Sequence, residues 1–529
     1  DVEVSLYLMY ICGDATPAAS IINFSPDIEN SSPIQLMLLH MINSEVHMHN
    51  NAGVVLQFFE NALKYDKFFL VHSENVVPVL SAFLKNNGLF HRSRKIRSRC
   101  AYLFSKFIKT VKGQLVSNLT TNILQAIQPL LSLEAPFTHP ESERLITEDD
   151  QMYLYEVVGL IIVGGESNSQ KKSEYMRQVI SPLLESVRMV TELLHIEKQP
   201  QKRQNFANIL MQAISVTGRM SKAFSSQQSM KSCGCIPVFT DAMLVFLASL
   251  EKISWPEQLI ILQGAVRQYL HRMVMCLEEE LLPYIPVASQ GLLKGGDPKS
   301  IQEYIPLINQ VIHKYKLSWI FQKDVAPFLQ QMFTPMVQTI FTALATPIET
   351  NDQQAIREKQ LMQRQYFHFI AAIVTNNLTE VLSAQEPVVL HEVMRTVMQG
   401  AVEFPDPVAQ KACFSILKKL VELWGGQDGP EGFIDFMYND IVPACFMAPM
   451  KPSFDITDAQ TLLVLNETAM CLLAVHEKRK EEFISYLQNR YLPTLKLPAI
   501  TVQEYTQMLQ SSAKSFKLYL KAFFTQAKS

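Results

Sequence analysis

The sequence predicts an all-α protein, a stacked array of antiparallel helix hairpins, and three observations carry that prediction. Proline recurs at a nearly constant spacing, amphipathic helical stretches fill the intervals, and the period-two alternation of β-strands is nearly absent. The prolines at issue precede short apolar runs at Pro78, Pro129, Pro182, Pro237, Pro283, Pro335, Pro387, Pro443 and Pro493, with gaps of 51, 53, 55, 46, 52, 52, 56 and 50 residues. Proline in the first turn of a helix forfeits no hydrogen bond, because the first N–H groups have no partner inside the helix, so each is read as opening a helix. Two helices per period of about 50 residues is the signature of a HEAT-repeat α-solenoid, with a period a little above the usual ~40 to 47. Residues 1–529 are therefore read as one continuous superhelical array of about nine to eleven hairpins, in which stability passes between neighbours.

Composition bounds the rest. A chain of 529 residues with 48% hydrophobic and 18% charged residues is too apolar to be disordered. No stretch approaches the ~20 uninterrupted apolar residues of a membrane span. The chain begins at Asp1 without an initiator Met and is read as part of a longer protein, so the lack of a signal peptide places it in no compartment. Of eight cysteines only Cys233 and Cys235 lie close together. Structural zinc wants four ligands in two clusters, so buried thiols in a reducing compartment are the reading.

From Asn75 to Leu133 there is no Asp or Glu, while Lys85, Arg92, Arg94, Lys95, Arg97, Arg99, Lys106, Lys109 and Lys112 are all present. On a helical wheel over 92–112, Ile96, Cys100, Leu103, Phe104, Phe107, Ile108 and Val111 fill one side. The cations fall on the other, except Arg97, which sits on the apolar side and is expected to reach a helix end or a neighbouring repeat. A solvated helix normally mixes signs; a one-sign stripe suits a polyanion, nucleic acid or an acidic protein. Tyr102 is the main aromatic among these cations, which argues for contacts to a duplex backbone rather than stacking on single strands. A second acid-free island runs from Lys198 to Thr240 with Lys202, Arg203, Arg219, Lys222 and Lys231, and a third from Tyr505 to Ser529 with Lys514, Lys517, Lys521 and Lys528.

Between these islands, the polar stretches 134–150, 164–174, 290–300 and 346–357 are expected to be loops, the first carrying Glu141, Glu143, Glu148, Asp149 and Asp150. With Glu278, Glu279 and Glu280 these are candidate acidic edges for a basic partner. In "DPVAQKACFSILKKLVELWGG" Asp406 is the N-cap, Pro407 the first helical residue and Gly425 the stop. Catalytic constellations appear only as near-misses. "HEVMR" at 391 and "HEKRK" at 476 lack the second His of a zinc-protease helix, and "KGGDPKS" at 294 lacks phosphate-loop spacing. No enzyme, metal, cofactor or small-molecule substrate is indicated.

The segments "HRSRKIRSRCAYLFSKFIK", "GRMSKAFSSQQSMKSCGC", "RQYLHRMVMCLEEELLPYIP" and "AVEFPDPVAQKACFSILKKLVELWGG" closely resemble stretches of the karyopherin-β (importin-β) family, in its branch that exports tRNA. The likeness runs in order along essentially the whole chain and corresponds to the C-terminal portion of such a receptor. It implies a carrier that binds mature tRNA together with GTP-bound Ran in the nucleus, passes the pore through nucleoporin contacts and releases its cargo after GTP hydrolysis in the cytoplasm. It also implies that the N-terminal Ran-binding repeats precede Asp1, and that tRNA is read through backbone and shape. By charge and exposure, the candidate tRNA-binding residues are Arg92, Arg94, Lys95, Arg99, Lys106 and Lys109, then Arg219, Lys222 and Lys231. Another carrier or scaffold for an acidic protein, and a scaffold whose basic face meets anionic lipid, are the alternatives.

Overall fold

The computed structural model describes residues 2–15, 24–133, 145–348, 352–427 and 429–528. Among them there is no strand. The helices of eight residues or more are α1 (Val2–Ala15), α2 (Pro33–Asn43), α3 (Ala52–Lys64), α4 (Val76–Phe83), α5 (Arg94–Val111), α6 (Ser117–Ile127), α7 (Glu148–Gly165), α8 (Ser169–Ile196), α9 (Pro200–Met220), α10 (Ile236–Lys252) and α11 (Pro256–Cys276). They continue as α12 (Ile285–Leu293), α13 (Pro298–Tyr315), α14 (Ala326–Ala345), α15 (Gln353–Thr375), α16 (Pro387–Val402), α17 (Pro407–Trp424), α18 (Val442–Met450), α19 (Ala459–Tyr486), α20 (Ala499–Leu509) and α21 (Ala513–Lys528).

The chain forms two compact units, Asp1–Leu281 and Leu282–Ser529. In the first, the odd-numbered helices α1, α3, α5, α7, α9 and α11 stack each on the next, and α4–α5, α6–α7, α8–α9 and α10–α11 pair as hairpins. In the second, α13, α15, α17, α19 and α21 make the equivalent row, and α12–α13, α14–α15, α16–α17, α18–α19 and α20–α21 pair. This alternation is the HEAT arrangement. Each helix is amphipathic, so its apolar stripe is buried only when a neighbour covers it. Phenylalanines tie α3, α4 and α5 together: Phe59 stacks on Phe83 at 4.0 Å between centroids, and Phe83 leans on Phe104 at 5.4 Å. One segment, Ala459–Thr494, is long and apolar enough to cross a membrane by length and composition, but half of its apolar window is buried within the fold.

The proline period holds, with a difference. Pro237, Pro387, Pro443 and Pro493 lie in first turns as expected. Pro182 and Pro335 instead sit inside α8 and α14, and Pro283 sits inside a 3-10 helix, Glu278–Tyr284. Pro182 and Pro335 each remove one N–H from the ladder, and the carbonyls left over belong to Gln178 and Gln331, both exposed residues. The second unit adds a device of its own. Single π-helical turns at Phe321–Val325, Met437–Ile441 and Leu487–Tyr491 each end two residues before a proline, Pro327, Pro443 or Pro493. A wider turn makes room for the ring where an α-helical bond has no donor.

The expected loops are shorter than read, because their polar residues are helix caps. Thr147 accepts from the Asp150 N–H at 3.0 Å while the Asp150 carboxylate accepts from Thr147 N–H at 3.1 Å, so helix α7 starts at Glu148. Asn168, Asp297 and Asp352 cap α8, α13 and α15 in the same way, accepting at 3.0, 2.8 and 2.9 Å. Glu141 and Glu143 lie outside the described residues. Asp406 caps α17 as read, accepting from Val408 N–H at 3.1 Å. Seven of the eight cysteines are buried and Cys12 is exposed.

Candidate nucleic-acid interface

The first basic island folds as α5, with its apolar stripe buried and its cations outward. The helix has no side-chain N-cap from Ser93. Arg97 closes the preceding turn instead: its Nη1 donates to the carbonyls of His91 at 2.7 Å and Arg92 at 3.1 Å, and its Nε donates to the carbonyl of Leu145, just before α7. Spent on backbone acceptors, Arg97 is a structural residue, and burial pushes its pKa down from the usual arginine range.

Along the outer face, Lys95, Arg99, Tyr102, Lys106 and Lys109 follow one another at spacings of four, three, four and three, which makes one ridge. Arg99 Nε meets Glu60 Oε1 of α3 at 2.6 Å, and its guanidinium lies 5.0 Å from the Tyr102 ring centroid. Lys106 Nζ lies 5.5 Å from the same ring. At the end of the ridge, Lys109 Nζ meets Glu156 Oε1 of α7 at 2.7 Å, and Arg219 Nη1 of α9 meets Glu156 Oε2 at 3.4 Å. The Glu156 side chain is 8% exposed against 39% for Lys109 and 35% for Arg219, so one buried carboxylate anchors two cations that still reach solvent.

Two more cations join them. Lys222, exposed just after α9, has its pKa pushed down by desolvation and next by Arg219; Glu156 opposes the shift, while Lys109 and Arg272 add to it. Arg272 of α11 fixes the turn that carries Lys222, donating from Nη2 to the Ser221 carbonyl at 2.9 Å and to the Phe224 carbonyl. Glycines of α7 allow this crowding. A Cβ at Gly159 would stand 2.4 Å from the Met220 carbonyl oxygen, and one at Gly164 would stand 2.9 Å from that of Lys112, so the ends of α5 and α9 rest on bare backbone. Both ends are helix C-termini, whose negative dipole favours the cations gathered there.

The structure therefore brings Lys109, Arg219 and Lys222 together from two islands, with Lys109 and Arg219 110 residues apart in sequence, and with Arg99 and Lys106 on the same ridge. Arg92, Arg94 and Lys95 lie at the far end of α5, about 20 Å away by helical rise. Lys231 is exposed in the last turn of a separate short helix, Gln227–Ser232. Arg203 is spent elsewhere, stacked 3.9 Å from the Trp255 ring centroid with its Nη1 on the Lys198 carbonyl at 3.0 Å. The acid-free islands are not acid-free in space, because Glu60 and Glu156 come from neighbouring helices. Even so, Lys95, Lys106 and Lys222 make no ion pair among the described residues, so the ridge keeps an excess of positive charge.

Sequence reasoning missed Glu60, Glu156 and Arg272. The repeat held a signal for two of them: Glu156 lies 47 residues after Lys109, and Arg272 lies 53 after Arg219, each close to one period. Such a surface, cationic and poor in aromatics, can bind successive phosphates. Among the described residues no group of His, Cys, Asp or Glu is set to hold a metal.

Comparison with known proteins agrees along the whole chain. The exportin-T family model matches residues 1–528. Proteins named exportin-T from Pongo abelii and Homo sapiens are each 45% identical over 529 residues, covering 100% of this chain and 54% of their own. One from Dictyostelium discoideum is 26% identical over 549 aligned residues, covering 100% and 49%. The chain thus spans about half the length of the curated relatives it matches. The solved structure titled "Importin13 cytosolic state" superposes with a TM-score of 0.59 at 13% identity, covering 96% of this chain and 54% of that one. Importin beta crystallised in a polyethylene glycol condition gives 0.52 at 9%, covering 94% and 55%. At these identities the two structures speak to fold alone.

Proposed function

The chain belongs to the exportin-T family, and from that premise we propose that it is the tRNA-holding part of a nuclear export receptor. In this reading the receptor takes up mature tRNA together with GTP-bound Ran in the nucleus, crosses the pore on nucleoporin contacts, and releases tRNA in the cytoplasm once GTP is hydrolysed. It shuttles between the two compartments and performs no chemistry on its cargo. The observation that carries the reading is the pairing of Lys109 and Arg219 on one buried carboxylate, with Lys222 beside them on a turn that Arg272 holds, continuous with the ridge of α5. A backbone reader needs several fixed cations at phosphate spacing and few groups for base edges. Arg92, Arg94, Lys95 and Lys231 extend the same proposed surface by their charge.

One further feature supports the larger assembly. On α1, Val4, Leu8 and Ile11 are 57%, 57% and 40% exposed on one face. In a stacked array such a face is covered by a preceding helix, which fits Ran-binding repeats N-terminal to this chain. Cooperativity then follows from linkage: tRNA and Ran each offset part of the cost of closing the solenoid, so each raises the other's affinity by the same factor.

The test is competition on the 529-residue chain between tRNA and an unstructured polyanion of matched charge. Preference for tRNA, weak and steeply salt-dependent in the absence of Ran, is the expected result. Equal competition by the unstructured polyanion, or by an acidic peptide, would sink the tRNA reading and leave a scaffold for acidic partners.

A further inference from the structure

Between α13 and α14 the chain reads "HKYKLSWIFQK", residues 313 to 323, with Lys314, Lys316 and Lys323 interleaved among aromatics. The turn is firmly held. Tyr315 and Phe321 are buried on either side of it. Ser318 N–H donates to the Tyr315 carbonyl at 2.8 Å, Gln322 N–H to the Ser318 carbonyl at 3.1 Å, and Gln322 Nε2 to the Lys316 carbonyl at 2.7 Å. Lys316 Nζ donates to Asn376 Oδ1 at 2.6 Å, which ties the turn to the end of α15.

On this frame Leu317 is 90% exposed and Trp319 is 72% exposed, the most exposed aromatic side chain among the described residues. Lys323 Nζ stands 5.1 Å from the indole centroid. An indole held in water by a rigid turn has already lost its conformational entropy, so a flat partner can cover it at little further cost. The surroundings select that partner. Lys323 is exposed beside it. Cations interleaved with an exposed aromatic suit a ligand that is both anionic and flat, which is an unpaired nucleotide.

We propose that this turn is a second RNA-contacting site, in which Trp319 stacks on the base of an unpaired nucleotide while Lys323 meets a flanking phosphate. The proposal rests on the RNA-binding reading above and differs from it in what is held: the α5 ridge takes duplex backbone, the turn takes single-stranded base. The expectation that the first basic island favours duplex backbone over single-strand stacking is left as it stands, because the turn is a separate place.

The experiment measures binding of a blunt RNA duplex and of a single-stranded hexanucleotide to the 529-residue chain at low ionic strength, for Trp319→Ala, Trp319→Phe and Lys106→Glu/Lys222→Glu. Trp319→Ala is expected to weaken hexanucleotide binding by about five- to 150-fold and to leave the duplex unchanged. Trp319→Phe should hold most of the affinity but abolish the fluorescence quenching that the hexanucleotide causes in the parent, since only Trp255 and Trp424 then remain. Unchanged hexanucleotide binding in Trp319→Ala overturns the proposal, and capture of an acidic peptide there instead would do the same. The two readings fail separately: the turn fails on the hexanucleotide in Trp319→Ala, and the ridge fails on the duplex in Lys106→Glu/Lys222→Glu.

Discussion

Helices α5 and α21 are both amphipathic, both carry lysines on the outer face, and neither contains an acidic residue. Their surroundings differ. Helix α5 lies between α3 and α7, and each neighbour turns one carboxylate, Glu60 or Glu156, into the basic row. Helix α21 stacks in its row on α19 and presents Lys514 and Lys521 to solvent, while Lys528 donates to the Lys451 carbonyl at 3.0 Å and to that of Phe454. The two units carry nearly the same balance, 25 Lys and Arg against 27 Asp and Glu in the first and 22 against 23 in the second. What distinguishes the ridge is therefore arrangement. Charges on α16, α17 and α19 are paired locally, as Arg395 with Glu392 and Arg479 with Glu482, whereas at α7 Lys109 and Arg219 from two helices share Glu156, with Lys222 and Arg272 gathered beside them. A run of lysines becomes a site only when neighbours hold it in place without cancelling it.

The comparison breaks most severely at Gly159. In Gly159→Ala the new Cβ must push the Met220 carbonyl away, at a cost of about 3 kcal/mol. Thermal unfolding should fall by several degrees, and RNA affinity should fall too although no charge has changed. Next comes Glu156→Gln, which leaves Lys109 and Arg219 without their anchor. It should cost about 1–3 kcal/mol in stability, discounted because both cations are half exposed, yet it should tighten RNA binding by raising the local charge; denaturant melts and filter binding report the opposed signs.

Lys222→Gln is smaller. The folded chain holds the Lys222 proton less tightly than the unfolded chain does, so stability rises with pH between the depressed pKa and the ordinary lysine value of about 10.5. Below that window the penalty is fully present. At neutral pH Lys222→Gln should thus gain about a few tenths of a kcal/mol while weakening RNA binding, and the gain should vanish above pH ~11. Smallest of all, Lys514→Glu/Lys521→Glu should change RNA affinity by less than about twofold, since nothing converges on α21; a loss as large as that from the ridge would erase the distinction between the two helices.

Much of this is legible in the sequence alone. The apolar spacing of residues 96–111 determines α5, and Asp406 with Pro407 determines the start of α17, because both depend on neighbours in sequence. Arg97 was legible as an exception and illegible in its purpose, since the Leu145 carbonyl lies 48 residues away. Thr147, Asn168, Asp297 and Asp352 are polar because they cap helices, and composition alone reads such residues as loop. Asp406 also accepts both Arg364 Nε at 2.6 Å and Arg364 Nη2 at 3.0 Å, a contact between adjacent repeats that no local pattern encodes. The candidate site divides the same way. Its cations are visible as gaps in the distribution of acids, and its convergence on Glu156 is set by how α5, α7 and α9 stack.

The most direct measurement is tRNA affinity across a salt series for the parent chain and for Lys106→Glu/Lys222→Glu. Neither lysine makes an ion pair among the described residues, so folding, followed by circular dichroism, should be untouched. If the ridge holds phosphates, affinity falls and the slope of log K against log salt becomes shallower by about one for each lost contact, about two in all. An unchanged affinity and slope in a folded variant would contradict the ridge as the place where RNA is held.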